Sequence, residues 1–123
     1  MKNILPFLSM LLLFACTTDQ QPVEAQLIPV DSIIPEQQMV LILADAHIIE
    51  AAMTIERNRG KNANSLADFY YAGLFKKFRI SRKRYQQNLE YYRDDPDRFN
   101  KIYENVIREL TEREKNFVKA ENR

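Results

Sequence analysis

Asp45, His47 and Glu50 have the side-chain types for acid–base or metal chemistry, and they lie close together in Asp45-Ala46-His47-Ile48-Ile49-Glu50. On a helix, Asp45 and His47 project about 160° apart and cannot share one inner coordination sphere. His47 and Glu50, about 60° apart, can touch. A metal-dependent enzyme built on His47 and Glu50 would need carboxylates from other helices. The chain holds one histidine and one cysteine, which removes multi-histidine sites and cysteine-based zinc clusters. The plainer expectation is a structural or partner-binding polar cluster. In it a His47–Glu50 hydrogen bond orients a core tyrosine or caps a loop, while Asp45 pairs with a basic side chain of another helix. No serine or threonine has a histidine–carboxylate relay beside it, so nucleophilic catalysis has no support. No catalytic, cofactor-binding or metal-ligating residue is expected.

Two further groups could bind partners. Lys76, Lys77, Arg79, Arg82, Lys83 and Arg84 form a basic patch, and the stretch from Lys76 to Arg93 carries a net charge of +6 although the whole chain is only +1. Such a patch suits anionic lipid headgroups, peptidoglycan acids or an acidic protein, or is simply a solvated helix–turn–helix edge. The near-zero total gives no push toward nucleic acid. Of the pairs Tyr70-Tyr71 and Tyr91-Tyr92, one ring each points inward; Tyr71 and Tyr91, about 100° away, are candidate exposed anchors.

The sole cysteine has its own chemistry. Lys2 precedes an apolar run from Ile4 to Phe14, too short to span a bilayer, which takes about 20 residues. It fits the core of a secretory signal peptide. Leu13-Phe14-Ala15-Cys16 places leucine at −3, a small residue at −1 and cysteine at +1 of a lipoprotein cleavage site, with a bulky Phe14 at −2. A thiolate is the nucleophile that accepts a diacylglyceryl group as a thioether. Residues 1–15 are therefore expected to be removed and Cys16 lipidated, the lipid being the only covalent group on the chain. Thr17 follows the cysteine where aspartate would signal inner-membrane retention. By analogy with Gram-negative systems, that favours the periplasmic face of the outer membrane.

The elements that carry these residues are helical. Two glycines cannot supply a phosphate-cradling loop or the turns of a β-sandwich. Residues 16–34, with Pro22, Pro29 and Pro35 at their end, read as a lipidated linker, spanning roughly 25 Å as a coil. Its apolar end, with Ile33 and Ile34, is suited to pack on the domain. Pro35 suits the first position of a helix running to about Arg57. Ser65 and Asp68 suggest a capping box for a second helix, with Leu66, Phe69, Tyr70, Leu74 and Phe78 on one stripe. Ser81 caps a third, carrying Tyr85, Leu89 and Tyr92 inward, and Asp95-Pro96 opens a fourth. There Phe99, Tyr103, Val106, Leu110 and Phe117 keep a 4,3,4 rhythm if Arg113 fills the gap. The fold expected is all-α, a small irregular antiparallel four-helix bundle over residues 35–120.

Taken in order, the Cys16 motif, Ile33-Ile34-Pro35, Met39-Val40, the Leu43 to Ala51 stretch and Phe75-Lys76-Lys77-Phe78 form a series of landmarks. Ile80-Ser81, Tyr85, Leu89, Tyr91-Tyr92, Pro96, Phe99, Ile102-Tyr103, Val106 and Leu110 continue it. Over about residues 30–112 the series resembles the short Bacteroidetes lipoproteins grouped as domain of unknown function 4296. The resemblance implies a helical envelope lipoprotein and transfers no activity. Ile80 to Leu89 is also loosely similar to helical arms of periplasmic chaperone–prolyl isomerases. The function expected is a membrane-anchored, non-catalytic accessory module that meets an envelope protein, without a transmembrane helix in the mature chain. The alternative is a chaperone-like or ligand-binding module holding an apolar segment between its first two helices.

Overall fold

A computed structural model describes residues 29–123. A short 3-10 turn, Val30–Ser32, leads into α1 (Glu36–Asn58), α2 (Ala63–Phe78), α3 (Arg82–Arg93) and α4 (Pro96–Glu121), with no strand among the described residues. The protein is an all-α four-helix bundle. The expected signal peptide and Cys16 lie outside the described residues.

Capping chemistry sets the boundaries. Pro35 is the N-cap of α1 rather than its first helical residue, and its carbonyl accepts from the Met39 amide at 2.8 Å. The helix ends where Gly60 takes φ +81°, a conformation that costs glycine little. The α2 cap differs from expectation: Asn62, not Ser65, accepts from the Asn64 amide at 2.9 Å. Ser65 Oγ turns back to donate to the Asn62 carbonyl, so the helix starts nearly a turn earlier. Ser81 and Asp95 do cap α3 and α4, accepting from the amides of Arg84 and Arg98.

α1 is the centre. It packs against α2 on one side and α4 on another, and α3 lies on α4. Met39, Ile42, Leu43, Ala44 and Ala46 of α1 meet Leu74, Ile80, Tyr92, Ile102 and Val106 in one core. Ile34, from the end of the expected linker, is completely buried in it. The packed domain thus includes residues ahead of Pro35.

α1 and α2 run antiparallel, since Asp45 meets Lys77 and Glu50 meets Tyr71. α4 departs from antiparallel alignment. Tyr103 and Arg113 are about 15 Å apart along α4, yet they meet His47 and Asp45, two residues apart on α1. Only an oblique crossing allows both contacts. Two residues leave the stripes expected of them. Phe69, 74% exposed, faces away from α1 because Leu74, Phe75, Tyr71 and Phe78 fill the opposite side of α2. Phe117, 70% exposed, lies on the last turns of α4, beyond its buried positions at Ile102 and Val106.

Candidate functional site

Asp45 is the junction of three helices. Its side chain, 13% exposed, accepts from Arg113 Nη1 of α4 at 2.5 Å and from Lys77 Nζ of α2 at 2.6 Å. Arg113 also donates to Glu109 one turn back, at 2.7 Å. Burial pushes the Asp45 carboxyl up, but the hydrogen bonds from Arg113 and Lys77 and their charges outweigh it, leaving it below its ordinary value. The hydrogen bonds to Asp45 and Glu109 hold the Arg113 guanidinium above its own. Arg113 therefore occupies the gap in the α4 apolar rhythm as an ion-pair partner of α1.

The structure does not join Asp45, His47 and Glu50 into one cluster. The exposed His47 ring packs edge-on against Tyr103, centroids 5.7 Å apart. Glu50 accepts from the Tyr71 hydroxyl at 2.6 Å, and burial, with Glu50 reinforcing it, raises the Tyr71 phenol above its ordinary value. No hydrogen bond links His47 to Glu50 among the described residues; Glu50 orients a tyrosine without it. Each residue turns to a different neighbour because successive side chains advance by about 100° around α1. No three histidine, cysteine or carboxylate side chains come together as a metal-holding group among the described residues.

A second junction escaped the sequence reading. Asn88, fully buried on α3, accepts from the Ile34 amide at 2.7 Å and donates to the Ser32 and Arg84 carbonyls at 2.9 and 2.8 Å. One turn on, the buried Tyr92 hydroxyl donates to the Ile34 carbonyl. Arg84 Nε donates to the Ser32 carbonyl at 3.1 Å. Three α3 side chains thus strap the extended entry segment to the bundle. The available signal was an amide between Tyr85, Leu89 and Tyr92 on an otherwise apolar face, since a buried amide needs partners. Arg98 was missed as well. It donates to Glu36 at 2.5 Å and to the Tyr91 hydroxyl at 3.1 Å, and its guanidinium lies over the Tyr92 ring. The hydrogen bonds to Glu36 and Tyr91 raise its pKa further.

The basic patch divides. Lys77 is held by Asp45, Arg84 by the Ser32 carbonyl, and Arg82 lies over the Phe75 ring with a long 3.5 Å contact to Asp68. Lys76, Arg79 and Lys83 are exposed and have no carboxylate partner among the described residues. Tyr71 and Tyr91 are half-buried, with both hydroxyls engaged as described.

The outer arc of α1 is apolar too. Leu41, Ile48 and Ile55 are 38%, 49% and 52% exposed and recur every seventh residue. An open cleft of about 540 Å³ lies where Val40 and Leu41 face Arg108 and Glu112 of α4. A smaller one, about 290 Å³, is lined by Ile48, Ile49, Gly73 and Leu74 between α1 and α2.

Comparison with curated proteins and with solved structures gives no match. The sequence model of the family described as "Domain of unknown function (DUF4296)" matches residues 31–116. That stretch runs from the strap at Ser32–Ile34 through the Arg113 junction, and so takes in α1, α2, α3 and most of α4. The chain belongs to the DUF4296 family.

Proposed function

We propose that the protein is a lipid-anchored, non-catalytic accessory module of the cell envelope, tethered through Cys16 at the periplasmic face of the outer membrane. In this reading its helical domain docks on an envelope protein through the outer arc of α1. One observation carries the docking: Leu41, Ile48 and Ile55 remain exposed on the central helix. At 100° per residue they fall within about 40° of one another. A row of exposed apolar side chains on a packed helix is at home where a partner covers it, and α2 and α4 leave this arc open. The occupant that fits is a helix with an apolar face of its own, whose side chains interleave with a seven-residue repeat.

The segment Val30–Asn58 contains an 18-residue stretch of mean hydropathy 1.5, enough to cross a bilayer by length and composition. We take α1 as a core helix instead. Met39, Ile42 and Ala44 are fully buried against protein, and a spanning α1 would carry the Asp45–Lys77–Arg113 junction into hydrocarbon.

Photo-crosslinking groups placed singly at Leu41, Ile48 and Ile55 in cells, with the anchor retained, test the docking. The expected result is one common adduct from these positions, absent from a probe at the exposed Lys101 on α4 and lost when Ile48→Asp is added to the Ile55 probe. The same adducts from every position, or none, overturn the docking. Mass spectrometry of the cell-derived chain tests the anchor: an acylated Cys16 at the new N-terminus is expected, and a free thiol behind a retained Met1 refutes it. The cleft between α1 and α2 favours a second reading, an apolar segment held there. It is supported instead if the purified chain binds an apolar fluorophore and suppresses client aggregation, and both are lost with Ile48→Asp.

A further inference from the structure

We propose that the turn between α2 and α3 is a docking surface for an anionic phospholipid bilayer, with Lys76, Arg79 and Lys83 as its headgroup contacts. The inference rests on the membrane-tethered reading for its setting, and on three observations for its chemistry. First, the charge here is uncompensated. Lys77 and Arg84 are absorbed by Asp45 and by the Ser32 carbonyl, whereas Lys76, Arg79 and Lys83 are exposed and without a carboxylate partner among the described residues.

Second, none of the three cations is turned into the core, and all lie within eight residues spanning one turn. Lys76 lies about 160° around α2 from Leu74, and Lys83 about 160° around α3 from Tyr85, so both point away from the core. Arg79 sits between them at φ 54°, the left-handed residue that turns the chain. Third, the turn adjoins the point where the tether enters the bundle. Arg84, two residues into α3 from Arg82, reaches the Ser32 carbonyl at 3.1 Å, and Gln38 near the start of α1 faces the Phe78 carbonyl at the end of α2. The residues between Cys16 and the strap at Ser32 can stretch at most about 58 Å. An anchored chain thus keeps this turn within reach of the surface that bears the anchor. Lipid phosphates there supply the missing counter-charge, and each basic residue near such a surface strengthens attachment about 5-fold.

The test separates this surface from the lipid anchor. Residues 16–123 carrying Cys16→Ser keep every buried side chain of the described core, which runs from Ile34 to Val106. Sedimentation with vesicles of phosphatidylglycerol and phosphatidylethanolamine, against neutral phosphatidylcholine vesicles, reads the docking directly. Binding to the anionic vesicles alone is expected, weakening as salt rises from 0.05 to 0.5 M on the scale set by screening. Lys76→Gln or Lys83→Gln alone should weaken it about 5-fold, and Lys76→Gln with Arg79→Gln and Lys83→Gln on the order of 100-fold. A charge-matched set on α4, Lys101→Gln with Arg108→Gln and Lys119→Gln, should have little effect. Equal binding to neutral vesicles, equal loss in the α4 set, or retention on peptidoglycan sacculi without vesicle binding overturns the proposal. Failure on vesicles with an acylated Cys16 in the cell-derived chain refutes the docking and spares the anchor. Vesicle binding with an unmodified Cys16 upholds the docking and removes the anchor.

Discussion

Asn88→Ala should be the most damaging single polar-to-alanine change on α3. The side chain is 0% exposed and makes three hydrogen bonds, one accepted from the Ile34 amide and two donated to the Ser32 and Arg84 carbonyls. Alanine leaves the Ile34 amide without a partner in the core, a cost of about 1–3 kcal/mol. The two carbonyls lose a donor each, although Ser32 keeps Arg84 Nε, and the vanished amide leaves a small cavity. A total of about 3 kcal/mol is a large share of the roughly 5–15 kcal/mol that holds a domain of this size. It corresponds to a fall in Tm of about 12–24 °C.

Urea and thermal unfolding followed by far-ultraviolet circular dichroism give the loss in stability. Amide hydrogen exchange at Ile34 gives its location, since that N–H should lose its protection ahead of the α1 amides. Asn88→Asp adds a signature that a packing defect cannot imitate. It keeps an acceptor for Ile34 but sets a buried carboxylate against two carbonyl oxygens, so its folded-state pKa rises above the unfolded value near 4. The variant should therefore be least stable at neutral pH and recover as the pH falls through that raised value, when the protonated acid donates again. A loss under about 1 kcal/mol for Asn88→Ala, with the Ile34 amide still protected, refutes the strap.

Asp45→Asn should cost about 1 kcal/mol at neutral pH, because it leaves Lys77 and Arg113 without their charge partner although water reaches both. Since the folded-state Asp45 carboxyl lies below its ordinary 3.8, its stabilisation is complete above that value and is lost as the pH falls through the lower folded one. Acid titration of unfolding free energy should thus be steeper below pH 4 for the natural chain than for Asp45→Asn, and parallel curves contradict the junction. Gly60→Ala meets nothing within 4 Å but must hold φ +81°, so the loss is conformational, about 1 kcal/mol by urea denaturation. Phe69→Ser, at a side chain 74% exposed, should shift stability by no more than about 0.5 kcal/mol; a loss above 2 kcal/mol by the same measurement would show that Phe69 is packed.

Local chemistry was legible in the sequence where it is self-contained. Ser81 and Asp95 cap their helices because a short polar side chain ahead of a free amide needs nothing from elsewhere in the fold. The α4 rhythm was readable as far as Arg113, which stands in the apolar row; that it does so as an ion-pair partner of Asp45 is set by the fold. Three features depended on the third dimension. Asn62 and Ser65 are both good caps, and nothing in their local sequence said that Asn62 would take the free amide while Ser65 turned back to the Asn62 carbonyl. Phe69 was assigned inward because the α2 stripe fits two rows, and only the position of α1 selects the row through Leu74. The helical period already set Asp45 apart from His47, but which neighbour each residue meets, Tyr103 and Arg113 of α4 or Tyr71 of α2, depends on how those helices cross α1. Asn88 was the readable clue that went unread, since an amide on an apolar face announces a buried acceptor and donor set.

The two polar junctions bear on how α1 can present its open arc. Apolar contacts alone tolerate sliding between helices of similar shape, and an oblique crossing has little interdigitation to resist it. Asp45 ties α1 to α2 and α4 at one place, and Asn88 with Tyr92 ties the entry of α1 to α3 at another. A helix pinned at two points can neither rotate about its axis nor shift its register without breaking these polar bonds. Leu41, Ile48 and Ile55 are then held in a fixed row before any partner arrives, which reduces the ordering cost of binding. Releasing either junction should therefore weaken docking on α1 more than a loss of exposed area would. Asp45 touches none of the three arc residues through its polar bonds, so Asp45→Asn offers a way to loosen the row while leaving its apolar side chains intact.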